Sequence, residues 1–547
     1  MIAAAAIVAF CNVFPNTFHL DDMYRVVDNP GIGHVRPVWR HFIDPSTSSS
    51  LPGLTQFRPL LPLTLSLNYW WGGTSPAGYH AVNLAFHVVS AVLAYIFLLQ
   101  LEAPRPAALV ASLLFAVHPV SGIVVNYISA RDLAMMQTFL LASLVSYARM
   151  RRRGRDTPGG WVATILFAFL AILSKTGALI LPALVAAYEL LIRRTPWRAR
   201  DLWIRLAVFS VVPIDFAFYT RMALRYSDVE NAVRDEPGGV MAYALAQTKA
   251  HAIYAFNFVW PFNLHQMPLL VPPAHWVNPF AAVTAVLLVG SLGLAWRLRT
   301  SMPAVSFCIL AYWILLIPEG SIVPLVHPRV DYRPYPSSAF LFGAIAIPAV
   351  TRLPRAIFIA VSTAAVVALT AASLQINRTW RTELSLWTYS VGLGGDSTAH
   401  MGLAMAIPDR NDPRVKEHFE RSVELEPDSA SAQSNYGLWL LATGNPDGLV
   451  HCRRAVGLAP SWWRTHFWLA IAYEDLGMFE PASEEMFVAH DLDPKNLQVT
   501  YEAARLAQKA GRYDESLPLL RMLSTEPNLE YARQVQSMIE IANAHRR

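Results

Sequence analysis

Apolar residues fill most of the first two thirds of the chain in long uncharged stretches, and after about residue 376 the pattern changes to mixed charge with helical periodicity. The stretches lie near residues 1–18, 79–100, 106–118, 122–147, 161–175, 177–193, 204–222, 278–296, 302–318, 337–350 and 356–375. A helix needs roughly 20 apolar residues to cross a bilayer, and the pattern predicts about eleven spans. The stretch 241–262 is also apolar but carries Gln247, Lys249 and His251 at helical spacing. It is expected to lie on the membrane surface as an amphipathic helix.

Charge between the stretches orients them. Basic runs occur at Arg149–Arg155, Arg193–Arg205, Arg297–Arg299 and Arg352–Arg355. With eleven spans, and 241–262 kept out of the membrane, all four runs fall on one side if the N-terminus is cytoplasmic. Counting 241–262 as a span would put the last two on the wrong side. The expected outer loops are then 19–78, 224–277 (with the surface helix) and 319–336, and the soluble C-terminal part is extracytoplasmic. Hydrophobic residues make up 54% of the 547 and charged residues 15%, with mean hydropathy +0.32. That composition excludes a soluble protein of this size. The net charge of +5 belongs to loops between spans, which argues against a nucleic-acid partner. Cys11, Cys308 and Cys452 are scattered and suggest neither a disulfide framework nor a metal knuckle. A basic side chain population dominated by Arg hints at a bacterial source, which would make the outer side periplasm.

Polar outliers in the apolar region gather on the expected outer side. Asp21 and Asp22 follow the first stretch directly, as a helix N-cap for 22–28 or as a general base beside a membrane-embedded substrate. Arg58 lies in the same loop, His80 and Asn83 begin the second span, and His118 ends the third. Arg131-Asp132 is expected a few turns into the fourth span, as an internal ion pair or a ligand contact. Lys175 sits at the hairpin between the fifth and sixth spans, where it snorkels to the interface or meets a ligand. Arg329, Asp331, Tyr332 and Arg333 fill the loop 319–336. Arg58 and Arg329 would also suit phosphate headgroups of bulk lipid. Ionisable groups at such places are functional candidates by default, and interfacial anchors alone should occupy both leaflets.

The C-terminal part is periodic. Pro427, Pro460, Pro494 and Pro527 recur at steps of 33, 34 and 33, and Gly444, Gly477 and Gly511 keep the same step. Leu469-Ala470, Tyr473, Gly477, Phe479, Ala482, Phe487, Ala489 and Pro494 match a tetratricopeptide repeat, a helix pair that buries its face by stacking on neighbours. About four repeats are predicted, the first (394–427) degenerate. The expected fold is therefore all-α, a polytopic helical bundle over 1–376 followed by a tetratricopeptide α-solenoid over 377–547.

Several short motifs stand in a telling order. They are Asp21-Asp22; Phe57-Arg58-Pro59-Leu60; Gly78-Tyr79-His80, Asn83 and His87; His118-Pro119; Ser129-Ala-Arg131-Asp132-Leu133; Ser174-Lys175; Arg329, Tyr332 and Pro334; and Arg378, Trp380-Arg381, Glu383 and Leu386-Trp387. Together with the repeats, they resemble the transmembrane and tetratricopeptide-repeat O-mannosyltransferases and their prokaryotic relatives, within the GT-C glycosyltransferase superfamily. The resemblance implies a sugar donor linked through phosphate to a polyprenol, an acceptor hydroxyl outside the cytoplasm, and a catalytic acid in the first outer loop, here Asp21 or Asp22. It implies donor and substrate contacts at Arg58, His80, His118, Arg131, Asp132, Lys175, Arg329, Tyr332 and Arg333. Tyr436, Trp468 and Tyr473 on the repeats are candidates for holding a protein acceptor. The chain departs from the family at two acids: Ile123 stands where a Glu usually follows the His-Pro, and Thr176 where Lys-Glu is usual. A single displacement needs one base and preorganised cations, so no cofactor is required, although the acids could hold a divalent metal. A membrane scaffold presenting the repeats, a glycolipid or polysaccharide acceptor, and a lipid-linked-sugar flippase or polymerase are the competing classes. Polar groups on one side, instead of along the whole membrane depth, disfavour a flippase.

Overall fold

The structure is a computed structural model that describes residues 1–33, 35–50, 57–223, 239–265, 267–271, 273, 275–320, 327–494, 496–525 and 532–545. Pro527 and parts of the three expected outer loops lie outside the described residues. No strand forms among the described residues. The chain divides into two compact units, Met1–Tyr389 and Ser390–Arg547.

Among the described residues, four helices of the first unit are long and apolar enough to cross a membrane: Pro76–Gln100, Ile128–Arg152, Pro279–Leu298 and Arg355–Trp380. The pair Arg105–Val117 and Pro119–Asn126, bent by 49°, makes a fifth if taken as one broken span. Shorter apolar helices cover Pro158–Ser174, Thr176–Leu191 and Pro303–Leu316. Prolines open many of these elements, because a residue at the first helical position needs no N–H partner. Thr157 and Asn278 cap their helices by accepting from the backbone N–H of Gly160 and Ala281.

Three boundaries differ from the sequence expectation. The first apolar stretch is helical only over Ile2–Ala9, after which Asn377 Nδ2 donates to the Ala9 carbonyl at 2.9 Å and Pro15 cannot donate at all. The expected span 122–147 is two elements. His118-Pro119 breaks the chain before it, and Tyr127 is extended (φ −89°, ψ 105°) between Asn126 and the next helix. In consequence Arg131 and Asp132 occupy the first turn of Arg131–Arg152, not a position several turns deep. A carboxylate there meets the positive end of the helix dipole. The first expected outer loop also contains a helix, Leu60–Gly72, which leaves Trp70 and Trp71 exposed.

The helix Gly239–Val259 is tied to the segment 319–336. Its His251 Nε2 pairs with the Gly320 carbonyl at 2.7 Å, Gln247 Nε2 donates to the Pro328 carbonyl at 2.7 Å, and the Tyr254 hydroxyl donates to the Val330 carbonyl at 3.1 Å. The segment after Asn377 folds back into the first unit. Trp380 is buried and stacks on Tyr127 at 6.2 Å. Glu383 accepts from Trp387 Nε1 at 2.5 Å and faces His19 Nδ1 at 2.6 Å.

The second unit is a series of antiparallel helix pairs: Ser397–Ala406 with Pro413–Leu425, Ala430–Ala442 with Gly448–Leu458, Trp463–Asp475 with Phe479–Leu492, and Leu497–Lys509 with Tyr513–Ser524. Ala432, Ala455, Ala470, Ala482, Ala489 and Ala503 are buried, small enough to let paired helices approach closely. Gly444, Gly477 and Gly511 sit at the turn inside each full pair with φ of +82°, +73° and +77°, a left-handed conformation that a Cβ would strain. The recurring glycine is the backbone requirement of the repeat.

Candidate functional site

The two adjacent aspartates are built into different surroundings. Asp22 is fully buried; its Oδ1 accepts from the Ser129 N–H at 2.7 Å and the Ser129 hydroxyl at 2.6 Å, and its Oδ2 from the His19 N–H at 3.1 Å. Burial pushes its carboxyl up from 3.8 to about 6, against the pull of the Ser129 and His19 hydrogen bonds. Asp21 is the open member: its side chain is 34% exposed, with Oδ2 3.5 Å from Arg25 Nε. Its charge is felt at Tyr127, Tyr332 and His327, so it faces the loop 327–335. Asp22 thus pins the loop to Ser129, and Asp21 is presented by it.

A ring of charges surrounds Tyr332. Arg58 Nη1 donates to Asp132 Oδ2, and Lys175 Nζ lies 3.9 Å from the same oxygen. Lys175 Nζ is also 2.9 Å from Glu319 Oε1 and 5.6 Å from the centre of the Tyr332 ring. Arg333 Nε lies 3.9 Å from Glu319 Oε2. Burial disfavours the Glu319 charge, yet Lys175 and Arg333 together hold its carboxyl below the ordinary range. Asp132 also feels Arg25. Four cations (Arg25, Arg58, Lys175, Arg333) therefore face three carboxylates (Asp21, Asp132, Glu319), leaving one positive charge in excess. Arg58 and Glu319 are each 20% exposed, whereas Asp132 and Lys175 are 4% and 8% exposed. An incoming group meets Asp21, Arg58 and Glu319 first. Such an arrangement can exchange its internal ion pairs for a phosphate while keeping a carboxylate free beside it.

The other sequence candidates sit elsewhere. Arg131 is buried against neutral acceptors, donating from Nε to Asn83 Oδ1 at 2.7 Å and from its Nη atoms to the Thr64 and Tyr79 carbonyls at 3.1 Å each. It clamps three elements together and is not brought into the ring. His80 bridges the Val125 and Asn16 carbonyls at 3.1 and 3.2 Å. His118 caps its helix by accepting from the Val120 N–H at 3.1 Å. Arg329 makes a two-pronged, buried ion pair with Asp331, 2.8 Å on each prong, and Asp331 also accepts from the His265 N–H at 3.2 Å. In the second unit, Tyr436 stacks against Phe419 and Trp439, Tyr473 accepts from Arg453 Nε at 3.1 Å, and Trp468 packs edge-on to Phe467.

Arg25 and Glu319 were not singled out from the sequence. Arg25, four residues after Asp21, carried a usable signal: i and i+4 share a helical face. Glu319 carried none, because its partner Lys175 is distant in the chain. Thr176 brings no acid next to the lysine in sequence, and the carboxylate that Lys175 Nζ meets in the structure is Glu319, 2.9 Å away. Ile123 is buried in the apolar core. Among the described residues no three His, Cys, Asp or Glu side chains converge as metal ligands.

No family model matches the chain. Individual relatives do. Over 458 residues it is 24% identical to Protein O-mannosyl-transferase F38B6.6 of Caenorhabditis elegans, covering 78% of this chain and 62% of that one. The chain resembles the protein O-mannosyl-transferases. It is 33% identical over 183 residues to Protein O-mannosyl-transferase Tmtc1 of Drosophila melanogaster (32% of this chain, 21% of that one). With Protein O-mannosyl-transferase TMTC3 of Homo sapiens, identity is 30% over 181 residues (32% and 20%). The chain thus spans less than two thirds of the length of each of these O-mannosyl-transferases. Among solved structures, MamA AMB-1 matches with a TM-score of 0.23 and 20% identity, over 28% of this chain and 90% of that one.

Proposed function

We propose that the chain is an integral-membrane glycosyltransferase that moves a sugar, mannose by the likeness to its relatives, from a polyprenyl-phosphate carrier to a hydroxyl of an exported protein. The observation that carries the reading is a half-open carboxylate, Asp21, facing a cation ring around Tyr332 that has one positive charge to spare. In this reading the apolar helices form a GT-C type bundle of about eleven spans. The N-terminus is cytoplasmic, and the Tyr332 ring and the tetratricopeptide unit are extracytoplasmic, at a periplasmic face.

The acceptor oxygen attacks the anomeric carbon as its proton passes to Asp21. The bond from that carbon to the phosphate oxygen breaks on the opposite side, and the electron pair leaves with the polyprenyl phosphate. Lys175, Arg58 and Arg333 stabilise the charge that develops there, in a setting where few waters compete. One displacement inverts the anomeric centre. Asp22 takes no proton in this scheme; it fixes the loop through Ser129 and His19. Asp132 and Glu319 hold the cations in place until the donor phosphate arrives. The tetratricopeptide unit contributes protein binding, as its stacked helix pairs suit.

The test is transfer by the purified chain from polyprenyl-phosphate mannose to hydroxyl-bearing peptides, read as released lipid phosphate and as sugar on the peptide. Equal amounts of both support the reading. Folded protein that releases neither refutes it and leaves the scaffold class. Lipid phosphate released with sugar found only on glycolipid would assign the acceptor differently.

A further inference from the structure

Leu20, the residue between His19 and Asp21, has a left-handed backbone with φ +54°. That conformation strains a residue with a side chain and persists only where the surroundings hold it. On the far side of the turn, Ser129 holds Asp22. On the near side, the fully buried His19 ring meets the segment that follows Asn377. Its Nε2 lies 2.6 Å from the Trp380 carbonyl and its Nδ1 2.6 Å from Glu383 Oε1. Glu383 is the first residue of the helix Glu383–Gly392, and Trp387 Nε1, one turn on, donates to its other oxygen at 2.5 Å. Its own helix therefore aims the carboxylate at His19.

Proton counting gives this contact its character. A carbonyl oxygen only accepts, so Nε2 carries a hydrogen. A bond between Nδ1 and a carboxylate oxygen then needs a second proton on that line, shared by the pair. Without it, a nitrogen lone pair would face the carboxylate. The Glu383 side chain is 42% exposed, so solvent reaches the pair from that side. Asp22 on the same loop and His80 on the helix Pro76–Gln100 also feel the charge of the His19 ring.

We propose that Glu383 is a positioning residue for the transfer: through the proton it shares with His19, it holds the left-handed turn at Leu20 and so sets where Asp21 stands. The clamp itself is read from the geometry, while its effect on rate rests on the assignment of Asp21 as the base. Among the described residues the ion pair of Glu383 is with His19 and not with the cations around Tyr332. Its loss should therefore disturb the base and leave the donor phosphate site intact.

The full chain, Glu383→Ala and Glu383→Gln are compared in two ways. One is transfer from polyprenyl-phosphate mannose across pH, per folded enzyme; the other is hydrogen–deuterium exchange of the peptide covering residues 18–28 at matched pH. Glu383→Ala should lower kcat about 100-fold, the effect of misplacing a reacting group by about 1 Å, with donor KM unchanged. It should also speed exchange in the peptide. Glu383→Gln should recover most of the lost rate, because its amide N–H donates to Nδ1 of the neutral ring. Alkaline pH removes the shared proton from the wild type, so Glu383→Gln should lose less rate there than the wild type does. A wild-type kcat in Glu383→Ala, or an alkaline fall in Glu383→Gln equal to that of the wild type, would overturn the proposal. Should Glu383→Ala not fold, the pH profile of Glu383→Gln decides. A wild type that transfers no sugar refutes the transfer reading, and exchange then judges the clamp alone. Faster exchange in Glu383→Ala than in Glu383→Gln supports it, and equal exchange in all three proteins refutes it.

Discussion

Asp22 gives a stability prediction that can be worked from its surroundings. Its carboxyl is fully buried with three donors, and burial wins, raising its folded pKa from 3.8 to about 6. The folded chain therefore holds this proton more tightly than the unfolded chain does. The stabilisation that results is complete below the unfolded value and is lost as pH rises through about 6. A shift of about two units corresponds to roughly 3 kcal/mol. Asp22→Asn cannot ionise and loses this dependence, though its Nδ2 must face a donor, a penalty of about 1–3 kcal/mol that does not vary with pH. Thermal unfolding in detergent from pH 4 to pH 7.5 reads the difference. The stability of the variant relative to wild type should rise by about 2–3 kcal/mol across the range, most of it before pH 6. Ser129→Ala removes a hydrogen bond that lowers the pKa, so it should move the window to higher pH. Parallel curves for wild type and Asp22→Asn would refute the desolvated anchor.

Three further outcomes follow from the same geometry. Lys175→Ala leaves Glu319 and Asp132 without their shared cation, and lipid-phosphate release should fall about 100-fold, as for loss of one charge-stabilising donor; an unchanged rate would place the leaving group elsewhere. Arg329→Ala strands the buried Asp331 carboxylate, at a cost of about 3–5 kcal/mol. It should lower the melting temperature and yield, with the donor KM unaltered in what survives, and Asp331→Asn on top should restore stability. Asn377 begins an Asn-Arg-Thr sequon but is 1% exposed and bonded to Ala9 and Asn12; peptide mass spectrometry after expression in a glycosylating host should find it unmodified.

The repeat domain was legible because its period is written in backbone requirements. A glycine at each left-handed turn and a proline after each pair recur whatever the side chains between them do. The apolar stretches located most helices, since Pro76, Pro158, Pro279 and Pro303 mark helix starts as plainly as hydropathy does. They failed where backbone chemistry cut an apolar run, as at Tyr127 and after Ala9, because hydropathy is blind to where a helix ends inside greasy sequence. The site was half legible. Asp21 and Lys175 stood out as charges beside apolar runs, but adjacency could not say which aspartate is buried. Arg131 and Arg329 looked like Arg58 in sequence; only tertiary packing separates a clamp on neutral carbonyls, or a fork on Asp331, from a cation left within reach of solvent. Glu319 illustrates the converse, since the carboxylate that Lys175 meets comes from a different loop.

In the proposed transfer Asp21 takes the acceptor proton, while Asp22 only holds its loop. Comparing the transfer rates of Asp21→Asn and Asp22→Asn in one lipid-phosphate release assay, on protein shown to be folded, tests it most directly. Asp21→Asn should lower the rate about 10²–10⁴-fold, and Asp22→Asn should retain most of the activity. Near-normal transfer by Asp21→Asn, or the reverse ranking of the two variants, would contradict it.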